Sequence, residues 1–421
     1  MQQTNSSMFQ KTHIKQMPFI VWCVLIGTLI VRTSYFMAWP FLVITLYREY
    51  GATATEVGFM LAMSALVGVI AGFYTGHLSD IIGRKRIIIA GCLVSSLTYL
   101  GISQANQLNQ FYFLIVACGL MRPMIEEPSK ALISDSINDL TRRELAMNMR
   151  YFAINVGGAL GPLLGVKLAV SHPESLFLIA SVAYLGYAMT LLFAFQYYID
   201  NKISHSKKPQ PMATVLQGIK NDSRFIKLVA ANVLMMFVYA HYSSTIPQIV
   251  ARSGSTDTEM LIAGMVLINT LTVILFQFPL LKLLQRFSLT FRAKLGVCLM
   301  GASQLIFIAS PVDSVHGLFA ACFVLSLGEV IAFPTINVQI DRLAPPKLRG
   351  AYFGAASLHT LGFVLAPIVG GMIIDSSDAM WLFCLCLMLC LITLYFYANF
   401  EKQDSVEPRI TQLSNQHKPK K

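Results

Sequence analysis

The chain has 421 residues, 55% of them hydrophobic and only 13% charged, with a mean hydropathy of +0.60. Surface-to-volume scaling denies a soluble protein of this length so few charges. The formal net charge of +11 gathers into no basic stripe or reader motif, which argues against a nucleic-acid partner.

The apolar residues recur instead in blocks of about twenty, the length that crosses a bilayer. Twelve spans are predicted. Residues 1–17 are polar and lead into a full-length apolar segment, unlike a cleavable signal peptide with its short core. Six spans follow at 18–46, 54–78, 87–104, 111–134, 145–170 and 175–198. A polar linker at 200–224, with Lys202, Lys207, Lys208, Pro209 and Pro211, reads as a joint holding a short surface helix. Spans seven to twelve are placed at 225–250, 260–284, 293–311, 315–338, 350–374 and 379–400, before a polar tail at 401–421. The expected organisation is thus an N-terminal segment, six-helix bundles at 18–199 and 225–400, the linker between them and the tail.

Charge tests this layout. Twenty-five of the 32 Lys and Arg residues fall in the terminal segments, in alternate loops or in the span ends that border them. The opposite loops hold Arg48, Arg252 and acids such as Glu49, Glu174 and Asp375. The positive-inside rule then places both termini in the cytoplasm. An internal repeat supports two related halves. GALGPLLG around Pro162 returns as FVLAPIVGG around Pro367, 205 residues later, and segment 135–143 corresponds to 341–349.

In chain order, the first chemical candidate is Arg32, about fourteen residues or roughly 21 Å into span one, too deep to snorkel easily. Trp39, Phe36 and Tyr35 offer an aromatic wall beside it. Between spans two and three lies GFYTGHLSDIIGRKRIII, with Gly76, Asp80, Gly83, Arg84, Lys85 and Arg86. Asp80 and Arg84 are spaced for an ion pair, and the glycines allow close backbone approach. Lys85 and Arg86 read equally well as simple positive-inside charge.

Glu126 and Glu127 sit within span four. Adjacent helical residues point about 100° apart, so only one of them need face a cavity. Arg122 is one turn from Glu126 and could bridge it structurally, and Lys130 could pair with either acid. Span five carries Arg150, Asn155, Gly157, Gly158, Gly161, Pro162 and Gly165, small residues that let a neighbouring helix close in. An arginine at 150 suits an anionic or zwitterionic substrate. His241 in span seven and Asn269 in span eight are candidate cavity residues that equally well satisfy neighbouring helices. Glu329, in LSLGEVIAFPT of span ten, is the strongest proton-coupling candidate, because an intramembrane carboxylate is costly and functional by default. The eight cysteines all lie in apolar runs and read as packing residues, with neither disulfide nor metal site.

The loop after span two resembles the G-x-L-A-D-R-x-G-R-K signature of the major facilitator superfamily, with Ile81 where that family usually has a cation. The resemblance extends over all twelve spans and implies two pseudo-symmetric six-helix bundles. It also implies that the cluster of Gly76, Asp80, Gly83 and Arg84 stabilises an outward-open state and breaks as the cytoplasmic side opens. Gly157, Gly161, Pro162 and Gly165 resemble the G-x-x-x-G-P-x-x-G signature of the proton-driven drug antiporters, which favours export. The segment around Glu329 resembles the G-E-[IV]-x-x-x-P stretch of drug and peptide exporters, where the carboxylate serves proton coupling or cation recognition. Arg32, Met37, Pro40 and Phe41 approximate a further pattern of that branch. The branch's usual span-four arginine should fall near Ile115, so Arg122 stands one helical face away from it.

The leading expectation is a proton-coupled exporter of a small organic solute, a multidrug-type efflux antiporter working by alternating access. Glu329, Glu126 and Glu127 would handle the proton, and Arg32, Arg122, Arg150, Asn155, His241 and Asn269 would line the cavity. The alternative within the same fold is a symporter importing a peptide, siderophore or metabolite. A receptor or scaffold has little reason to keep buried charges on several spans. No Walker, Rossmann or zincin motif suggests an enzyme. No cofactor beyond the proton motive force is expected. The partners would be solute, protons and bilayer, for a monomer in the plasma membrane, or the inner membrane of a Gram-negative host.

Overall fold

The computed structural model describes residues 8, 11–52, 54–169, 173–197, 212–252, 258–310 and 314–416, and among them every regular element is helical. The first half holds α1 (Lys11–Lys15), α2 (Phe19–Arg48), α3 (Ala54–Ile82), α4 (Arg84–Gln104), α5 (Leu108–Ser136), α6 (Leu140–Ala169) and α7 (Pro173–Tyr197). Then come α8 (Met212–Asn221), α9 (Ser223–Ala240), α10 (Ile246–Arg252), α11 (Thr258–Leu284), α12 (Leu289–Ala309) and α13 (Val315–Leu343). The chain ends with α14 (Arg349–Ala356), α15 (Leu361–Ser376) and α16 (Met380–Gln416).

These helices invert the pattern of a soluble protein. Leu97, Phe113, Leu163 and Met372 are all at least 66% exposed, while Arg32, Glu126, Glu127 and Glu329 are buried. Only a hydrocarbon solvent favours that arrangement. Among the described residues, eleven stretches are long and apolar enough to cross a membrane. The expected fifth span, α6, is a 30-residue helix that falls outside this set. Its first three turns carry Arg142, Arg143, Glu144, Asn148 and Arg150, which spend their polarity on ion pairs and hydrogen bonds.

Two expected spans are broken. Span seven stops at Ala240, and α10 starts at Ile246. The hydroxyls of Ser243 and Ser244 both donate to the Ala240 carbonyl, competing with the helical ladder, and Pro247 has no amide to donate. Span eleven divides at a 3-10 turn over Ser357–Thr360. The expected linker lies outside the described residues as far as 211. Its last part forms α8, where Val215 and Ile219, four apart, are buried and Lys220 is exposed. Residues 1–7 and 417–421 also lie outside the described residues.

The packing resolves into two compact units. Unit 1 comprises residues 1–216, 273–282 and 337–358, with α2 against α6 and α7, α4 against α5 and α7, and α3 against α5 and α14. Unit 2 comprises residues 217–272, 283–336 and 359–421, with α9 against α15 and α16, and α12 against α16. Six of the eight cysteines are buried, as packing residues should be, but Cys298 points outward from α12. All eight thiols are free.

Candidate functional site

In unit 1 the glycines of α6 decide how close α2 can come. A Cβ placed on Gly157 would lie 2.9 Å from Cβ of Arg32, and one on Gly161 would lie 2.6 Å from the Thr33 carbonyl oxygen. A Cβ on Gly165 would lie 2.7 Å from the Met37 carbonyl oxygen. Three successive turns therefore press backbone against backbone, and Pro162 sits within that face. The contact delivers Arg32 from α2 toward α5.

There Glu126 meets three arginines. Arg32 pairs with its Oε1, Arg122 Nε lies 3.3 Å from the same oxygen, and Arg150 Nη2 lies 3.5 Å from Oε2. Glu127, the next residue, turns to Lys130, whose Nζ donates to both carboxylate oxygens at 3.0 and 3.1 Å. The two neighbouring acids thus serve separate cations, as their 100° offset allows. Arg32 also lies 5.7 Å from the ring centroid of Tyr35, which stacks on Trp39 with centroids 5.3 Å apart. Asn155 does not join this cluster, because its amide donates to the Tyr151 carbonyl of its own helix.

A second polar group lies within unit 2. Asn269 Nδ2 donates to Glu329 Oε2 at 2.6 Å and to Ser326 Oγ at 3.0 Å. The Tyr239 hydroxyl also bonds Glu329. The sequence offered Asn269 and Glu329 separately, and the fold brings them together. His241 sits instead at the break after α9, its Nδ1 2.9 Å from Thr245 Oγ1. Among the described residues no group of three or more His, Cys, Asp or Glu side chains is placed to hold a metal.

The third group is the charged loop after α3. Gly83 has φ of +97°, the left-handed region that glycine enters without strain, and it separates α3 from α4. Asp80 and Arg84 form the expected ion pair across it. The structure adds what loop spacing could not. Asp80 Oδ1 and Oδ2 accept from the Gly350 and Ala351 amides at 3.0 and 2.8 Å, so this carboxylate satisfies the first turn of α14. Gly76 packs directly on Gly350, with no room for a side chain on either.

Arg84 Nε donates to Asp135 at 3.1 Å, and Asp135 also takes Arg349 at 2.9 Å. Arg143 donates to Asp341 at 2.9 Å, and Glu144 takes Arg342 at 3.0 Å. Sequence reasoning did not single out Asp135, Arg143, Asp341 or Arg349 as site residues. The signal was present in the repeat, since the two matched segments exchange partners, Asp135 with Arg349 and Arg143 with Asp341.

The profile of the Major Facilitator Superfamily matches residues 24–360. The chain is 31% identical over 392 residues to the uncharacterised MFS-type transporter YqjV of Bacillus subtilis, covering 92% of this chain and 95% of that one. It is 26% identical over 380 residues to the Na(+), Li(+), K(+)/H(+) antiporter of Planococcus maritimus, covering 82% and 87% respectively. Among solved structures, the human organic anion transporter MFSD10 (TETRAN) superposes with a TM-score of 0.73 at 16% identity, covering 92% of this chain and all of that one, a likeness of fold alone.

Proposed function

The chain belongs to the Major Facilitator Superfamily, and on that footing we propose that it is a proton-coupled secondary transporter exporting a small organic or amphipathic solute by alternating access. The observation that carries this reading is Glu329, buried in α13 with Asn269 and Tyr239 as neutral neighbours. Protonation there leaves the charge of both these neighbours unchanged. At Glu126 and Glu127, by contrast, a proton would release Arg32, Arg122, Arg150 and Lys130. Glu329 is therefore assigned the travelling proton, and the span-four acids the coupling of charge to solute.

In the exchange cycle, protonation from outside weakens solute retention and loss of the proton inside re-forms the site. The antiporter named among the relatives supports coupling to protons in this fold. Asp80, Arg84 and the ion pairs around them are proposed as the latch that releases when the cytoplasmic side opens. The proposed placement is the plasma membrane, inner membrane in a Gram-negative host, with both termini cytoplasmic. One chain is proposed to suffice, driven by the proton motive force and without nucleic acid.

The test uses full-length protein in sealed liposomes with an internal pH dye and a broad solute panel. Solute-dependent proton flux is expected, falling at least about tenfold in Glu329→Gln while the variant elutes as the parent does. In everted vesicles an inside-acid gradient should drive solute uptake, which is export in the cell. Flux that is indifferent to Glu329→Gln would overturn the assignment.

A further inference from the structure

The ion-pair cluster in unit 1 does not balance. Among the described residues, Arg32, Arg122, Arg150 and Lys130 face Glu126 and Glu127, which leaves two positive charges in excess. Asp80, Asp135, Asp341 and Glu144 are committed elsewhere, to Arg84, Arg349, Arg143 and Arg342. Glu49, Glu56 and Glu174 stand at helix ends, and Asp139 binds the Arg142 amide. Arg122 reaches the surface, so three buried cations face two buried acids, and the one unmatched buried charge is costly at membrane depth and calls for a counter-charge.

Two further observations point to where that counter-charge sits. Arg150 is only 4% exposed, yet among the described residues its Nε has no hydrogen-bond partner, and its contact with Glu126 is long, at 3.5 Å. A buried guanidinium donor left open is expensive unless something binds it. Arg122, on the same carboxylate, keeps 61% of its side chain accessible, so the cluster opens to a ligand on that side. Tyr35 and Trp39, stacked beside Arg32, provide a flat apolar wall next to the charge.

We infer that this cluster binds the anionic group of an organic solute, a carboxylate or sulfonate carrying an aromatic or apolar body, and that Glu126 fills the same arginines when the solute is absent. The inference rests on the transport reading and narrows it to a substrate class. Glu126 acts as an internal competitor: the solute anion takes Arg150 and Arg122, and Glu126 yields them. Removing an arginine and removing Glu126 must then shift affinity in opposite directions, which a purely structural salt-bridge cluster would not do.

The experiment is equilibrium binding to full-length protein in nanodiscs, without any gradient. The probes are naphthalene-2-sulfonate and 2-naphthoate, with naphthalene-2-sulfonamide as neutral control and 2-naphthyltrimethylammonium as cation. Both anions should bind at least about tenfold tighter than either control. Arg150→Gln should weaken anion binding at least about tenfold, with Arg150→Lys recovering part of it, and Glu126→Gln should tighten it. If Arg150→Gln fails to fold, the accessible Arg122→Gln serves, with a smaller loss in the same direction. Anions binding no better than the controls, or Glu126→Gln weakening them, would overturn the inference. If the anions bind but no Glu329-dependent proton exchange occurs, the site stands and the export reading falls. If the ammonium probe drives such exchange while the anions do not bind, export stands and the anion site falls.

Discussion

Burial, more than the formal sign of a pair, decides what each charged residue is worth. Arg349 and Asp135 are both largely shielded, and Arg349 also lies 3.6 Å from Asp341. Replacing Arg349 with alanine leaves Asp135 with Arg84 alone and Asp341 with Arg143 alone, so Arg349→Ala should lower stability by about 2 kcal/mol, read as thermal unfolding in nanodiscs. Arg252 and Asp375 make a shorter contact of 2.7 Å, but with side chains 54% and 66% exposed. Arg252→Ala should change stability by less than about 1 kcal/mol. Equal losses in the two variants would contradict this ranking. The same residues show how far a sequence can be read. Asp80 and Arg84 lie four apart and were legible as a pair at once. Asp135 and Arg349 are 214 residues apart, and only the repeat hinted that they share a role. Nothing local could signal that Asp80 would also satisfy the first turn of α14, because that depends on where a distant helix begins.

At the scale of helices, contact distance separates glycines that matter from those that do not. A methyl on Gly161 would lie 2.6 Å from the Thr33 carbonyl and 2.8 Å from the Met37 amide, both backbone atoms that cannot step aside. Gly161→Ala should push α6 off α2, cost about 2 kcal/mol and displace Arg32 from Glu126. Gly186 in α7 meets nothing within 4 Å of the same hypothetical atom. Gly186→Ala should be neutral or stabilising by up to about 1 kcal/mol, since alanine is the better helix former. Unfolding midpoints of the two variants check the pair, and a neutral Gly161→Ala would remove the packing account of the motif. The motif's glycines were legible because small residues at four-residue spacing have one obvious use on a helix. The breaks in spans seven and eleven were not. Ser243, Ser244 and Pro247 are common within apolar segments, and whether hydroxyls outcompete the helical ladder depends on what packs alongside.

For the whole molecule, the distribution of charge makes the sharpest claim, because twenty-five of 32 cations on one set of segments leave a single preferred orientation. Fold class was legible from composition and the recurring apolar blocks, since a bilayer accepts few solutions to backbone hydrogen bonding. α6, the expected fifth span, falls outside the eleven apolar stretches because a helix that carries its half of an ion-pair network is less apolar than its neighbours. Orientation can be checked with two exposed reporters, Asn106→Cys in the turn between α4 and α5 and Lys85→Cys just after Gly83. Cys298, the one exposed native thiol among the described residues, is first replaced by serine to remove its background. A membrane-impermeant maleimide should label Asn106→Cys in intact cells, and Lys85→Cys only in everted vesicles. The reverse pattern would put the cation-rich face outside. An inward proton gradient would then reach Glu329 from the wrong side for export, and the exchange cycle would have to run as import.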